Sequence, residues 1–215
     1  HTVDAIDTLT RIANERNAPE TVEKVAQRVE HVLEAGPINA VELGKVLANR
    51  LPENAIVVDE GATNGLGAFL MTGNAAPHDW LTLTGGAIGA GLPMAVGAAL
   101  GCPDRKVIGL EADGSAMYTV QALWTMVRED LDIAVLILNN GSYAILNIEL
   151  ARVDVEQPGP TALSLLDLPN PAIEWTDIAT GMVMTAERVA TVRARARALE
   201  RAMHEMGPRL IDGLP

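Results

Sequence analysis

Lys106-Val-Ile-Gly-Leu-Glu-Ala-Asp-Gly-Ser115 and, one helix later, Ile133-Ala-Val-Leu-Ile-Leu-Asn-Asn-Gly-Ser142 decide how this chain is read. Each opens as an apolar run and stops abruptly in small and polar residues. Ile133–Leu138 is uninterruptedly apolar, the pattern of a strand buried on both faces. Val120–Glu129, between them, has helical spacing. Strand, helix and strand in that order make a right-handed crossover, so the strands run parallel and their polar ends share one edge. Ala55-Ile-Val-Val-Asp59 adds a third strand, ending in Glu60-Gly-Ala-Thr-Asn64. Further helices are expected at Leu92–Leu100, Trp175–Gly181 and Arg188–Met206, with a short last strand, Arg209–Ile211, closing the sheet. Thr63 and Asn64 are candidate caps for a helix through Leu70. The fold class is α/β, a mainly parallel sheet with helices on both faces.

Upstream the pattern differs. Val3, Ile6, Leu9 and Ala13 mark one face of a helix over 1–16, broken at Asn17-Ala-Pro19. A second helix is expected over Val22–Leu33, stopped by Gly36-Pro37. Asn39 three residues before Glu42 has the spacing of a capping box. The opening His1-Thr-Val-Asp4 lacks the pattern of a signal peptide. Residues 1–35 are read as the remnant of a preceding domain plus a linker, and 36–215 as the domain carrying the site. The proline-rich stretch 153–171 is expected to be a long loop near that site.

Composition narrows the function. The 215 residues carry a formal net charge of −12 and are 48% hydrophobic, which excludes a disordered acidic tail. Such a charge disfavours nucleic acid and anionic membranes as partners, so a bound phosphate needs backbone groups or a metal. The single cysteine, Cys102, precludes an internal disulfide and a four-cysteine zinc site, and suits a reducing, cytoplasmic setting. Leu81 to Pro103 is uncharged and long enough to cross a bilayer. Its many glycines and Pro93 favour a buried loop and helix instead. His1, His31, His78 and His204 are scattered without metal-ligand spacing. Arg193, Arg195, Arg197 and Arg201 form the solvated face of the last helix.

Ligands of open α/β sheets sit outside the carboxyl ends of the strands. Asp113 and Asn140 end the two strands quoted first, and a strand–helix–strand unit brings them to one point. A carboxylate, an amide and a backbone carbonyl suit a hard divalent cation that retains phosphate oxygens. Gly114 lets a phosphate approach the backbone, and Ser115 can donate to it. Two plainer readings stand beside this. Asp113 could only cap the following helix. Gly89-Ala-Gly91 imitates a dinucleotide fingerprint, although Met94 stands where its third glycine belongs. Glu60 and Glu111 are strand-end carboxylates without an assigned role.

Ala112-Asp-Gly-Ser115 followed by Asn139-Asn-Gly141 resembles the motif of thiamine diphosphate-dependent enzymes of the acetolactate synthase, benzoylformate decarboxylase and pyruvate decarboxylase group. The resemblance runs over roughly 37–215 and includes Leu83–Pro93 and Gly207-Pro-Arg-Leu-Ile211. Gln121–Thr125 with Asn140–Tyr143 looks like the benzoylformate decarboxylase branch, and Leu146-Asn-Ile-Glu149 like acetolactate synthase-like proteins. It implies the thiamine diphosphate-binding fold, with Asp113, Asn140 and the Ser142 carbonyl on magnesium. Gly114 and Ser115 would hold the diphosphate, and Gly61, Ala62 and Thr63 would touch its other end. The Gly86 carbonyl would accept from the aminopyrimidine, and Ile88 would wedge beneath the cofactor and bend it into a V.

The implied activity is decarboxylation or carboligation of a small 2-oxo acid. Ala112 replaces the motif's first glycine without removing a ligand. Leu146 stands where pyruvate decarboxylases place a glutamate, so Ile145 and Leu146 are expected to form an apolar pocket wall. The glutamate that activates the pyrimidine lies in another domain of this family. The chain is therefore expected to need a pyrimidine-binding domain and to work as a homodimer or tetramer. These residues leave open whether FAD is carried. The competing readings are a non-catalytic cofactor-binding or assembly module and, more weakly, an NAD-dependent oxidoreductase.

Overall fold

The computed structural model describes residues 4–21, 26–37, 39–155 and 158–213. Its helices are α1 (Ala5–Glu15), α2 (Ala40–Arg50), α3 (Gly65–Thr72), α4 (Gly91–Gly101), α5 (Asp113–Ala116), α6 (Ala122–Arg128), α7 (Ala144–Arg152), α8 (Pro160–Ser164), α9 (Trp175–Gly181) and α10 (Val192–His204). The strands are β1 (Ile56–Glu60), β2 (Asp79–Thr82), β3 (Val107–Ala112), β4 (Ile133–Leu138), β5 (Thr185–Val189) and β6 (Arg209–Gly213). They form one sheet in the order β2-β1-β3-β4-β6-β5, and every pair is parallel.

The apolar run of β4 is explained by two cores. Ile133, Val135 and Ile137 face a cluster with Leu92, Leu123, Met126 and Trp175 from α4, α6 and α9. Ala134, Leu136 and Leu138 face the opposite cluster, with Leu43, Leu47, Ala68, Val192 and Leu199 from α2, α3 and α10. Alternate residues of one strand thus feed both layers, so no polar residue is tolerated until the strand ends. β1 leaves through α3 on one face and β3 through α6 on the other. Between these neighbours the connections diverge and open a crevice at the carboxyl edge of the sheet.

Several sequence expectations change. The helix expected over Val22–Leu33 is not formed: residues 26–34 run without regular structure, and 22–25 lie outside the described residues. Neighbouring elements satisfy its backbone instead. His31 exchanges two 2.8 Å hydrogen bonds with the Asn49 side chain, and the Val29 N–H donates to the Asn74 carbonyl. The last strand does not close the sheet but lies inside it, between β4 and β5. The helix expected from Arg188 starts at Val192, where the Thr191 hydroxyl accepts from Ala194 N–H. Arg188 itself belongs to the edge strand β5. β2, at the other edge, was not anticipated.

Asn39 does cap α2, accepting from Glu42 N–H at 2.9 Å. Glu42, however, turns to Lys45 rather than back to the cap. α1 forms as expected, capped by Asp4, with Ile6 and Leu9 exposed and none of its residues buried. The stretch 153–171 contains the short α8 rather than loop alone. Arg195 is not on the solvated face: it is buried, whereas Arg193, Arg197 and Arg201 are exposed. Among the described residues no helix is long and apolar enough to cross a membrane.

Candidate functional site

The crevice is built from three strand ends. After β1 the chain turns sharply through Gly61–Asn64, with Ala62 in the left-handed region at φ 48°. Asp59 fixes this turn: one carboxylate oxygen accepts from Gly61 N–H at 2.8 Å and the other from the Trp80 indole at 3.3 Å. Burial raises the Asp59 pKa, and those two donors restrain the rise. A Cβ on Gly65 would collide with this carboxylate, so glycine is required where α3 begins. Asn64 makes no side-chain cap to that helix.

After β3, Asp113 enters α5 directly and is almost fully buried. Its Oδ1 accepts from Gly114 N–H at 2.9 Å and its Oδ2 from Gly141 N–H at 2.7 Å. Burial raises its pKa first of all, the two amides pull it down, and the Asp212 charge raises it further. Among the described residues no basic side chain bonds it, and the partners it has are backbone amides. Such a carboxylate gains from a cation.

After β4 the two asparagines diverge. Asn139 donates to buried Asp212 at 3.2 Å, and Asp212 also accepts from Arg188 at 2.7 Å. Arg188 reaches on to Glu174. Asn140 turns the other way, its Oδ1 accepting from Ser142 N–H at 3.0 Å. Gly141, at φ +65°, makes that turn possible. The turn is then pinned from the proline-rich region: Tyr143 N–H and the Ser142 hydroxyl both donate to the Leu166 carbonyl, and Leu168 N–H donates to the Gly141 carbonyl.

One cleft is lined by Gly61, Ala62, Thr63, Ile88, Asp113, Gly114, Ser115, Asn140, Ser142 and Ile145. The structure thus brings most of the sequence-selected residues together. Gly86 and Leu146 do not line it: Gly86 lies in a one-turn 3-10 helix over Thr84–Gly86, and Leu146 is partly exposed on α7. The Tyr143 ring packs against Gly114 so closely that a Cβ there would collide with it. A neighbouring cavity of about 430 Å3 adjoins Asp113, Asn139 and Asn140 and extends to Ile173, Glu174 and Arg188. Asp212 and Arg188 escaped the sequence reading. The only signal was an aspartate inside the apolar Leu210-Ile-Asp212 run.

Glu60 and Glu111 stand in register at the ends of β1 and β3, both buried. Glu60 accepts from Gly89 N–H and Gly91 N–H, each at 2.5 Å. Burial, then the charges of Glu60 and Asp59, push the Glu111 carboxyl well above the usual range.

Comparison with known proteins follows the same lines. The family described as "Thiamine pyrophosphate enzyme, C-terminal TPP binding domain" matches residues 42–213. IlvX of Mycobacterium tuberculosis, named for an acetolactate synthase large subunit, is 50% identical over 209 residues, 97% of this chain and 40% of its own. Benzoylformate decarboxylase of Pseudomonas aeruginosa is 32% identical over 180 residues, 83% of this chain and 33% of its own. Among solved structures, the thiamine diphosphate-dependent 4-hydroxybenzoylformate decarboxylase of Rhodococcus jostii RHA1 superposes with a TM-score of 0.78 at 27% identity. It covers 96% of this chain, which in turn covers 38% of it. The chain spans a third to two fifths of the length of these relatives.

Proposed function

The chain belongs to the thiamine pyrophosphate enzymes, as their C-terminal TPP-binding domain, and on that premise we propose that it holds the diphosphate and magnesium of thiamine diphosphate in a 2-oxo acid decarboxylase or carboligase. The observation that carries the site is the convergence of Asp113 and Asn140, from neighbouring strand ends, on one cleft with Gly114 and Ser115. Their donors fit the group. Among the described residues no three His, Cys, Asp or Glu side chains could form a self-sufficient metal site. A single carboxylate, an amide oxygen and the Ser142 carbonyl leave coordination positions for phosphate oxygens, as magnesium prefers. The metal supplies the positive charge that a chain of net charge −12 lacks.

Each residue has a bounded task in this reading. Asp113 and Asn140 ligate the metal, Gly114 and Ser115 hold the diphosphate, and the Gly61–Thr63 turn touches its other end. Ile88 and the Gly86 carbonyl orient it, while Ile145 and Leu146 shape an apolar wall for the 2-oxo acid. Bound thiamine diphosphate supplies an electron sink for the carbon left when carbon dioxide departs.

Activation of the cofactor falls to a glutamate of a pyrimidine-binding domain, in a longer chain or another subunit, and the working unit is a homodimer or tetramer. A cytoplasmic setting is part of this reading, supported by the single cysteine, Cys102, of the 215 residues. Residues 1–35 form the linker and the end of a preceding domain, and 36–215 the cofactor domain. The test is 2-oxo acid decarboxylation by the chain alone and after adding a pyrimidine-binding domain. Turnover only in the second case supports the reading, and turnover by the chain alone contradicts it.

A further inference from the structure

The loop before α4 carries three left-handed glycines, Gly85 at φ +66°, Gly86 at +67° and Gly89 at +85°. Left to itself such a segment has many conformations. It nevertheless presents Ile88 to the cleft. The Gly89 residue is held on both sides: its N–H donates to one Glu60 oxygen, and its carbonyl accepts from the Thr119 hydroxyl at 2.8 Å. The second Glu60 oxygen takes the Gly91 N–H at the start of α4. A Cβ on Gly91 would collide with both Glu60 and Glu111, so the two carboxyl groups converge on that one backbone position.

Glu111 is fully buried, and among the described residues neither of its oxygens finds a donor. Two adjacent charged carboxylates sealed from water repel each other and lack hydration. Glu60 is the anchored member of the pair, because each of its oxygens takes a short bond from an amide.

We propose that Glu60 is a positioning residue that clamps the Ile88 loop through Gly89 and Gly91, with Glu111 packed against the same backbone position. The consequence for the cofactor rests on the function proposed above, whereas the clamp itself does not. The chemistry makes the two glutamates unequal. Glutamine at 60 has one acceptor for two amide donors and must aim an NH2 at the other. Glutamine at 111 leaves both Glu60 oxygens on their two amides.

The test is made on the 215-residue chain with Glu60→Gln and Glu111→Gln. Amide hydrogen exchange at Gly89 and Gly91 is read without cofactor, and the thiamine diphosphate Kd is read with magnesium. Glu60→Gln is expected to speed exchange at both amides by about tenfold or more, the order set by losing a buried hydrogen bond. It is also expected to weaken the Kd about tenfold, while Glu111→Gln stays near wild type in both readouts. Should Glu60→Gln not fold, the wild-type spectrum decides: both amide protons are expected well downfield of ordinary glycines. Ordinary shifts, unchanged exchange in a folded Glu60→Gln, or equal damage from both substitutions overturns the clamp. A wild type that shows the clamp yet binds no thiamine diphosphate overturns the cofactor role while sparing the clamp.

Discussion

Asp113 at the end of β3 accepts the backbone N–H of Gly141, beyond the end of β4, at 2.7 Å. This bond ties two strand ends into one site and leaves the Asn140 side chain beside the carboxylate. Its geometry depends on Gly141 at φ +65°, where a Cβ would meet no atom within 4 Å. Substitution there is therefore a backbone experiment. Gly141→Ala is expected to cost about 1 kcal/mol in denaturant unfolding, and Gly141→Asn less, since asparagine tolerates left-handed backbone.

Arg195 offers the opposite case, a side chain whose loss should help. It is buried on α10, and among the described residues its Nε and Nη2 find no hydrogen-bond partner. Burial pulls its pKa down to about 10, with Asp212 only partly opposing. A cation whose folded pKa lies below its unfolded value penalises the fold at every pH below about 10. Only as pH rises through that value is the penalty relieved. Arg195→Met is expected to raise stability at pH 7 by about 1–3 kcal/mol, read by thermal unfolding. That gain is expected to shrink above pH of about 10.

Asp212 is the buried hub between Asn139 and Arg188. Asp212→Ala leaves both donors without their acceptor. An expected cost of about 2–4 kcal/mol in denaturant unfolding follows. Asn139 is then free to swing, so magnesium-dependent cofactor binding should weaken although Asp212 is not a ligand. Unchanged binding in the folded variant would show that Asn140 is held without Asn139.

Gly91 begins α4 against two carboxylates, and a methyl group there has nowhere to go. Gly91→Ala is expected to destabilise by about 1–3 kcal/mol through overpacking. At Gly97, in the same helix, a methyl would meet no atom within 4 Å, so alanine should be accepted there and gain stability. Paired melting curves of the two variants separate crowding from helix propensity.

The sheet was legible where a strand is packed on both faces, as with Ile133–Leu138. It was not legible at the edges. β5 places Glu187 against Arg201 and Arg188 against Asp212, and such polar residues read as helix rather than strand. β2 begins at Asp79 and pairs along one side only. Val22–Leu33 has helical spacing, yet its described part is held by Asn49 and Asn74 from distant positions, which local periodicity cannot encode. At the site, Asp113 and Asn140 stood out because strand ends expose ligands. Glu60 and Glu111 were visible as strand-end carboxylates but without a role, Arg195 read as a solvated residue and Asp212 not at all, because each takes its meaning from partners far away in sequence.

The most direct test is calorimetric titration of the chain with thiamine diphosphate, with and without magnesium, for wild type and Asp113→Ala. Binding is expected only with magnesium, and it should fall by more than the roughly 10–100-fold typical of losing an outer-shell metal partner when Asp113 is removed. Binding indifferent both to magnesium and to Asp113→Ala would contradict the assignment of Asp113 and Asn140 as the metal and diphosphate site.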